Sequence, residues 1–161
     1  MKIPVKETII SGDWLQCSTN TCDGEFCFRL RPTSFEKAVI SDILPWGDDK
    51  CFKINLNDGD LWILKVQVIN LNKAPFDPSH ILDRVVLLDQ DDFLFNPRQD
   101  RNLIENSNFA ELMGLIRFIG QSTTPRLSPK VKSLGALAFD LPDDEHAEYY
   151  ISLTEGSIKA V

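Results

Sequence analysis

Leu61-Trp62-Ile63-Leu64-Lys65-Val66-Gln67-Val68-Ile69-Asn70 decides the fold. Trp62, Leu64, Val66 and Val68 recur on every second residue, the spacing that lines one face of a β-strand. Leu61 and Ile63 begin the other face, which turns polar at Lys65 and Gln67. Just upstream, Asn57-Asp58-Gly59-Asp60 carries the Asp-Gly pair that supplies the positive φ of a tight hairpin. Before it, the stretch 50–57 alternates Phe52, Ile54 and Leu56 with polar residues, and 25–31 alternates Phe26, Phe28 and Leu30. Each reads as a half-buried strand, one face in and one face wet. Downstream, Pro75 and Pro78 open a loop.

The same period continues. Residues 81–88 are nearly all apolar, Asp89-Gln90-Asp91-Asp92 turns the chain, and Phe93-Leu94-Phe95 returns it as a second hairpin. Leu137, Phe139 and Leu141 alternate in one late strand, and Tyr149, Ile151 and Leu153 in another. Residues 5–15, with Trp14, are expected to form the first strand, and residues 18–24 a loop. One helix is expected at 108–119, where Phe109, Leu112, Met113, Ile116 and Ile119 share a face at spacings of three and four. That stripe predicts packing against a sheet, not a cofactor pocket. The expected fold is all-β: one domain over 1–161, an antiparallel immunoglobulin-like sandwich of seven or eight strands plus that short helix. The expected core is Phe28, Ile54, Trp62, Leu64, Val66, Val68, Val86, Leu88, Phe139 and Ile151.

Composition is ordinary for a globular chain, 43% apolar and 25% charged. No apolar run approaches the roughly 18 residues of a membrane span. The formal net charge is −7, with the acidic excess in the second half at Asp89, Asp91, Asp92, Asp140, Asp143, Asp144, Glu145 and Glu148. Phosphate backbones demand a basic stripe, and none is visible in the sequence, so no nucleic acid is expected. The segment 1–7 is charged but no apolar run follows it, which predicts a cytoplasmic protein, or an extracytoplasmic one if a leader has been removed. Cys17, Cys22, Cys27 and Cys51 lack the paired spacing of a zinc site, and His80 and His146 have no partner near them in sequence. Reduced thiols are expected, though four cysteines leave three disulfide pairings open.

Candidate chemistry is thin. The Asp89, Asp91 and Asp92 cluster is the one possible binding turn. It fails the calcium-loop pattern because Leu94 stands where the sixth-position Gly is required. Aspartate is also the ordinary choice for a turn, where its carboxylate bonds the local backbone. The histidines read as exposed loop residues, and the glycines include no phosphate-cradling loop. No catalytic residue, metal site or cofactor is expected.

The run 62–70, then Phe76-Asp77-Pro78, then 86–93, then Leu134-Gly135-Ala136-Leu137-Ala138-Phe139-Asp140-Leu141-Pro142 and Tyr150-Ile151-Ser152-Leu153, resembles the telokin-like, immunoglobulin-like domains of bacterial secreted proteins and lipoproteins, of the mycobacterial immunogenic-protein type. The resemblance covers about residues 60–154. It departs from the family at Asp92, where Gly is usual, at Ser128-Pro129-Lys130, where Pro-Gly is usual, and in the helix at 108–119. It implies a binding module without chemistry. The expected function is therefore a non-enzymatic module with a protein partner. The rival expectation is an acidic cytoplasmic inhibitor or immunity protein that neutralises a basic enzyme.

Overall fold

The computed structural model describes residues 1–22, 24–37, 60–77, 79–98 and 126–161. Among the described residues nine strands form two antiparallel sheets. Four of them, β1 (Ile3–Pro4), β5 (Val85–Leu88), β6 (Leu94–Phe95) and β8 (Tyr150–Leu153), pair in the order β1-β8-β5-β6. The other five are β2 (Leu15–Thr21), β3 (Gly24–Lys37), β4 (Asp60–Asn70), β7 (Lys132–Leu141) and β9 (Ser157–Ala160), in the order β7-β4-β3-β2-β9. Two short helices, α1 (Val5–Ser11) and α2 (Ser79–Leu82), complete the described elements.

The core lies where the sheets face each other. Leu15, Cys17, Phe28, Leu30, Leu64, Val66, Val68, Leu137 and Phe139 come from the larger sheet, and Val85, Leu87 and Ile151 from the smaller. Each sits on every second position of its strand, as a two-layer fold requires. In β4 the alternation holds as read, with Leu64, Val66 and Val68 at most 1% exposed. A second buried group, Leu61, Ile63, Ala136 and Ala138, lies on the opposite face of β4 and β7.

Several expectations are corrected. Residues 5–11 form a helix, not a strand: Val5 and Thr8 are its buried positions, three apart. Gly12, at φ 71°, ends it and donates its N–H to the Thr8 carbonyl at 3.0 Å. Residues 81–88 are two elements, because Ile81 and Leu82 are both buried one turn before the strand begins at Val85. His80 thus sits in a short helix rather than a loop. The expected loop at 18–24 is shorter, since β2 runs on to Thr21. Trp62 and Leu88 are half-buried instead of core. The all-β, two-sheet architecture is as expected, with nine strands among the described residues. The helix at 108–119, the strand at 50–57 with Ile54, Cys51 and the Asn57-Asp58-Gly59 turn lie outside the described residues.

Gly156 closes the turn between β8 and β9. At φ 128°, a side chain there would place its first carbon 2.2 Å from the Ser18 carbonyl oxygen, so only glycine fits.

Among the described residues Cys17, Cys22 and Cys27 are free thiols, respectively buried, exposed and half-buried. Burial pushes the Cys17 thiol well above its ordinary pKa, and nearby Cys27 adds to the effect. Iodoacetamide should therefore label Cys22 first and Cys17 only in denaturant, because the thiolate is the reacting form. Peptide mapping by mass spectrometry checks this, and rapid labelling of Cys17 in native protein would contradict the packing.

Candidate functional site

The sequence pointed to the turn at Asp89, Asp91 and Asp92. In the structure its carboxylates serve the turn. Asp89 Oδ1 accepts the N–H groups of Asp91 at 2.9 Å and Phe93 at 3.0 Å. Asp92 adopts φ 65°, and its Oδ1 meets Lys2 Nζ at 2.8 Å. That contact raises the Lys2 pKa. Asp91 is exposed. This is an Asx-type turn pinned to Lys2, just before β1, with two of its three carboxylates already engaged.

A different site forms at one end of the sandwich. Its floor is aromatic. The Phe35 ring, near the end of β3, lies 5.0 Å from that of Trp62, which stands two residues into β4. Phe35 also meets Tyr149 edge-on at 5.9 Å, and Tyr149 meets Phe95 the same way at 5.9 Å. Around this floor, Asp60, Asp143, Asp144 and Glu145 form an acidic rim, with Lys6 and Lys37 also in the lining. The cleft is about 300 Å³.

Local chemistry positions each part. A bulge between Pro32 and Ser34 shifts β3 by one residue against β4. Before it, Phe28 and Leu30 face the core from even positions; after it, the odd-numbered Phe35 does. Proline suits such a place because it has no N–H to give the ladder. The 142–148 segment turns tightly: Asp144 Oδ1 accepts the His146 N–H at 3.0 Å, and the Ala147 N–H reaches the Asp144 carbonyl at 3.3 Å. Lys37 Nζ bridges to Asp60 Oδ2 at 3.1 Å. Burial, then the charges of Asp144 and Asp89, hold the Tyr149 phenol above its ordinary pKa, so it stays neutral.

A wider groove of about 960 Å³ runs beside α2 and includes Cys27, Phe76, His80 and Arg84 in its lining. Several of its polar groups are already paired. The Cys27 thiol pairs with the Ser18 hydroxyl at 3.3 Å, and His80 stacks on Phe76 with centroids 6.4 Å apart. Arg84 lies over the Phe26 ring at 4.9 Å and donates to Thr19 Oγ1 at 3.2 Å. Among the described residues no cluster of three or more His, Cys, Asp or Glu could hold a metal ion, and no helix is long and apolar enough to cross a membrane.

No family model matches the sequence, and no curated protein matches it. Among solved structures it is similar to a conserved hypothetical protein from Bacillus anthracis, at 12% identity and a TM-score of 0.52, covering 92% of this chain and 97% of that one. It is also similar to a functionally unknown protein from Listeria monocytogenes EGD-e, at 11% identity and a TM-score of 0.38, covering 98% and 82%. The first likeness extends over nearly all of both chains and concerns the fold.

Proposed function

We infer that the protein is a non-enzymatic interaction module, immunoglobulin-like in kind, whose acid-rimmed aromatic cleft takes a basic segment of a protein partner. The observation that carries this reading is the joint presence of an aromatic floor, Phe35, Trp62 and Tyr149, and the carboxylates Asp60, Asp143, Asp144 and Glu145. A lysine or arginine side chain suits both parts. Its charge is attracted by the aromatic faces and the rim, and its methylene stem packs on the rings. Loops carried on a rigid sandwich are the usual place for such recognition. Kinship with the telokin-like domains belongs to the same proposal. In its support, Asp92 takes the left-handed conformation at the position where that pattern carries glycine.

Fluorescence anisotropy with a labelled Lys/Arg-rich peptide tests the reading, with an uncharged Gln/Ser-rich peptide of equal length as control. The basic peptide should bind, the uncharged one should not, and affinity should fall as salt rises past the ~10 Å screening length of 0.1 M. Asp143→Asn, Asp144→Asn and Glu145→Gln combined should weaken binding about tenfold. Asparagine keeps the turn-forming oxygen at position 144, so folding is spared. Equal binding by the triple variant would refute the assignment.

A further inference from the structure

The other face of the larger sheet carries the opposite charge. Register places Lys159, Gln16, Arg29, Ile69 and Lys132 side by side across all five strands. The next row holds Arg31, Gln67 and Leu134, and the one after it Ser34, Lys65 and Ala136. Five cations therefore share three rows in which no residue is acidic, within a chain whose net charge is −7. Lys132 and Lys159 are exposed and Leu134 is 46% exposed, whereas Ala136 in the third row is buried, so the accessible part of this face is its first two rows.

The arginines are short of acceptors. The Nε atoms of Arg29 and Arg31 are buried and have no hydrogen-bond partner. Arg31 donates one terminal N–H to Gln67 Oε1, whereas the Arg29 side chain has no hydrogen-bond or ion-pair partner among the described residues. Both residues are only half-buried, so it is the terminal guanidinium N–H groups, not the covered Nε atoms, that an arriving carboxylate would meet with a charge-assisted bond. Among the described residues, the aromatic ring on this face is Trp14, and it is already taken. The Arg31 guanidinium lies 4.8 Å from its centroid, and Lys132 Nζ lies 5.7 Å away. Among the described residues that leaves no free ring here on which bases would stack, as single-stranded nucleic acid requires.

We propose that this sheet face, centred on Arg29 and Arg31 with Lys132 and Lys159 at its margins, is a docking surface for an acidic, Asp/Glu-rich segment of a protein partner. Sequence order scatters these cations over more than a hundred residues, and only strand pairing gathers them. The surface is separate from the acid-rimmed cleft, so the two proposals stand or fall apart.

The test is anisotropy with a labelled Glu-rich peptide on the full chain, against a labelled oligothymidylate of equal charge, with sedimentation velocity of the free protein. The Glu-rich peptide should bind, weaken with salt, and bind more tightly than the oligothymidylate. Arg29→Gln with Arg31→Gln should reduce affinity roughly tenfold. Lys132→Gln with Lys159→Gln, at exposed positions that cannot disturb folding, should reduce it roughly threefold. The cleft variants at 143–145 should leave it unchanged. Absent binding, unaltered binding by both charge pairs, tighter binding of the oligothymidylate, or self-association blocked by the same substitutions would each overturn the proposal.

Discussion

Phe28→Ala should cost about 3–5 kcal/mol of folding stability, the range for removing a buried aromatic side chain. Phe28 is fully buried in β3 and among the largest side chains that are. Its ring meets Phe26 at 5.6 Å and Phe76 at 6.5 Å, so truncation empties a volume that rigid neighbours on several sides cannot refill. Domains of this size hold only about 5–15 kcal/mol, so the loss is a large share. The urea midpoint should fall with the slope unchanged, and Tm should drop on the order of 10 °C. Phe93→Ala, at a position 66% exposed, should stay within about 0.5 kcal/mol of the parent. A Phe28→Ala protein within 1 kcal/mol of the parent, roughly the error of comparing two such curves, would mean the sheets do not close over that ring.

Asn70→Asp should be comparably damaging at neutral pH, about 3–5 kcal/mol, and far less so in mild acid. Asn70 ends β4 with no exposed surface, and its amide is used completely. Nδ2 donates to the carbonyls of Ala74 at 2.9 Å and Leu127 at 2.8 Å. Oδ1 accepts from the N–H of Asn72 at 2.7 Å and from its Nδ2 at 2.9 Å. Aspartate would aim an oxygen at two carbonyl oxygens and bury a charge there. Both effects raise the folded-state pKa of the new carboxyl above its unfolded value of about 3.9. Between those two pKa values the folded state holds the extra proton, so stability falls as pH rises. The deficit against the parent should be smallest below pH 4, grow through the interval, and level off above the folded pKa. Urea curves at several pH values check this. A deficit equal at pH 4 and pH 7 would show that the lost donors, rather than the charge, carry the cost.

The strands were legible because burial on one face imposes a two-residue period, which a sheet preserves whatever its partners. Phe26, Phe28 and Leu30, then Leu64, Val66 and Val68, then Leu137 and Phe139 follow it, and each triad or pair is buried. The period failed where local geometry broke it. Val5, Thr8 and Ile9 satisfy a helical spacing as well as an apolar run does, and the capping Gly12 favoured the helix. Ile81 and Leu82 look like strand residues, yet adjacent buried positions belong to a helical turn. Trp62 keeps the phase of β4 but stands near its end, where the sheet no longer covers it.

The candidate cleft was hardly legible. The acidic run 143–148 stood out, but nothing local linked it to Phe35, a hundred residues earlier. The register shift at Pro32/Ser34 decides which way Phe35 faces, and a shift of one residue exchanges the two faces of a strand. The aspartates at 89–92 were conspicuous for the opposite reason: turn-forming carboxylates are local, so sequence displays them whether or not they bind anything.

By itself, then, the amino-acid order determined the all-β class, the alternating core positions of its strands and the turn at Asp89, since each depends on neighbours within a few residues. Beyond the local hairpin at Asp89, tertiary structure alone decided which strands lie together, and with that the acidic aromatic cleft and the cationic sheet face. Charges and rings far apart along a chain become a surface only through pairing, and pairing is set by long-range burial and by one-residue slips that no short stretch encodes.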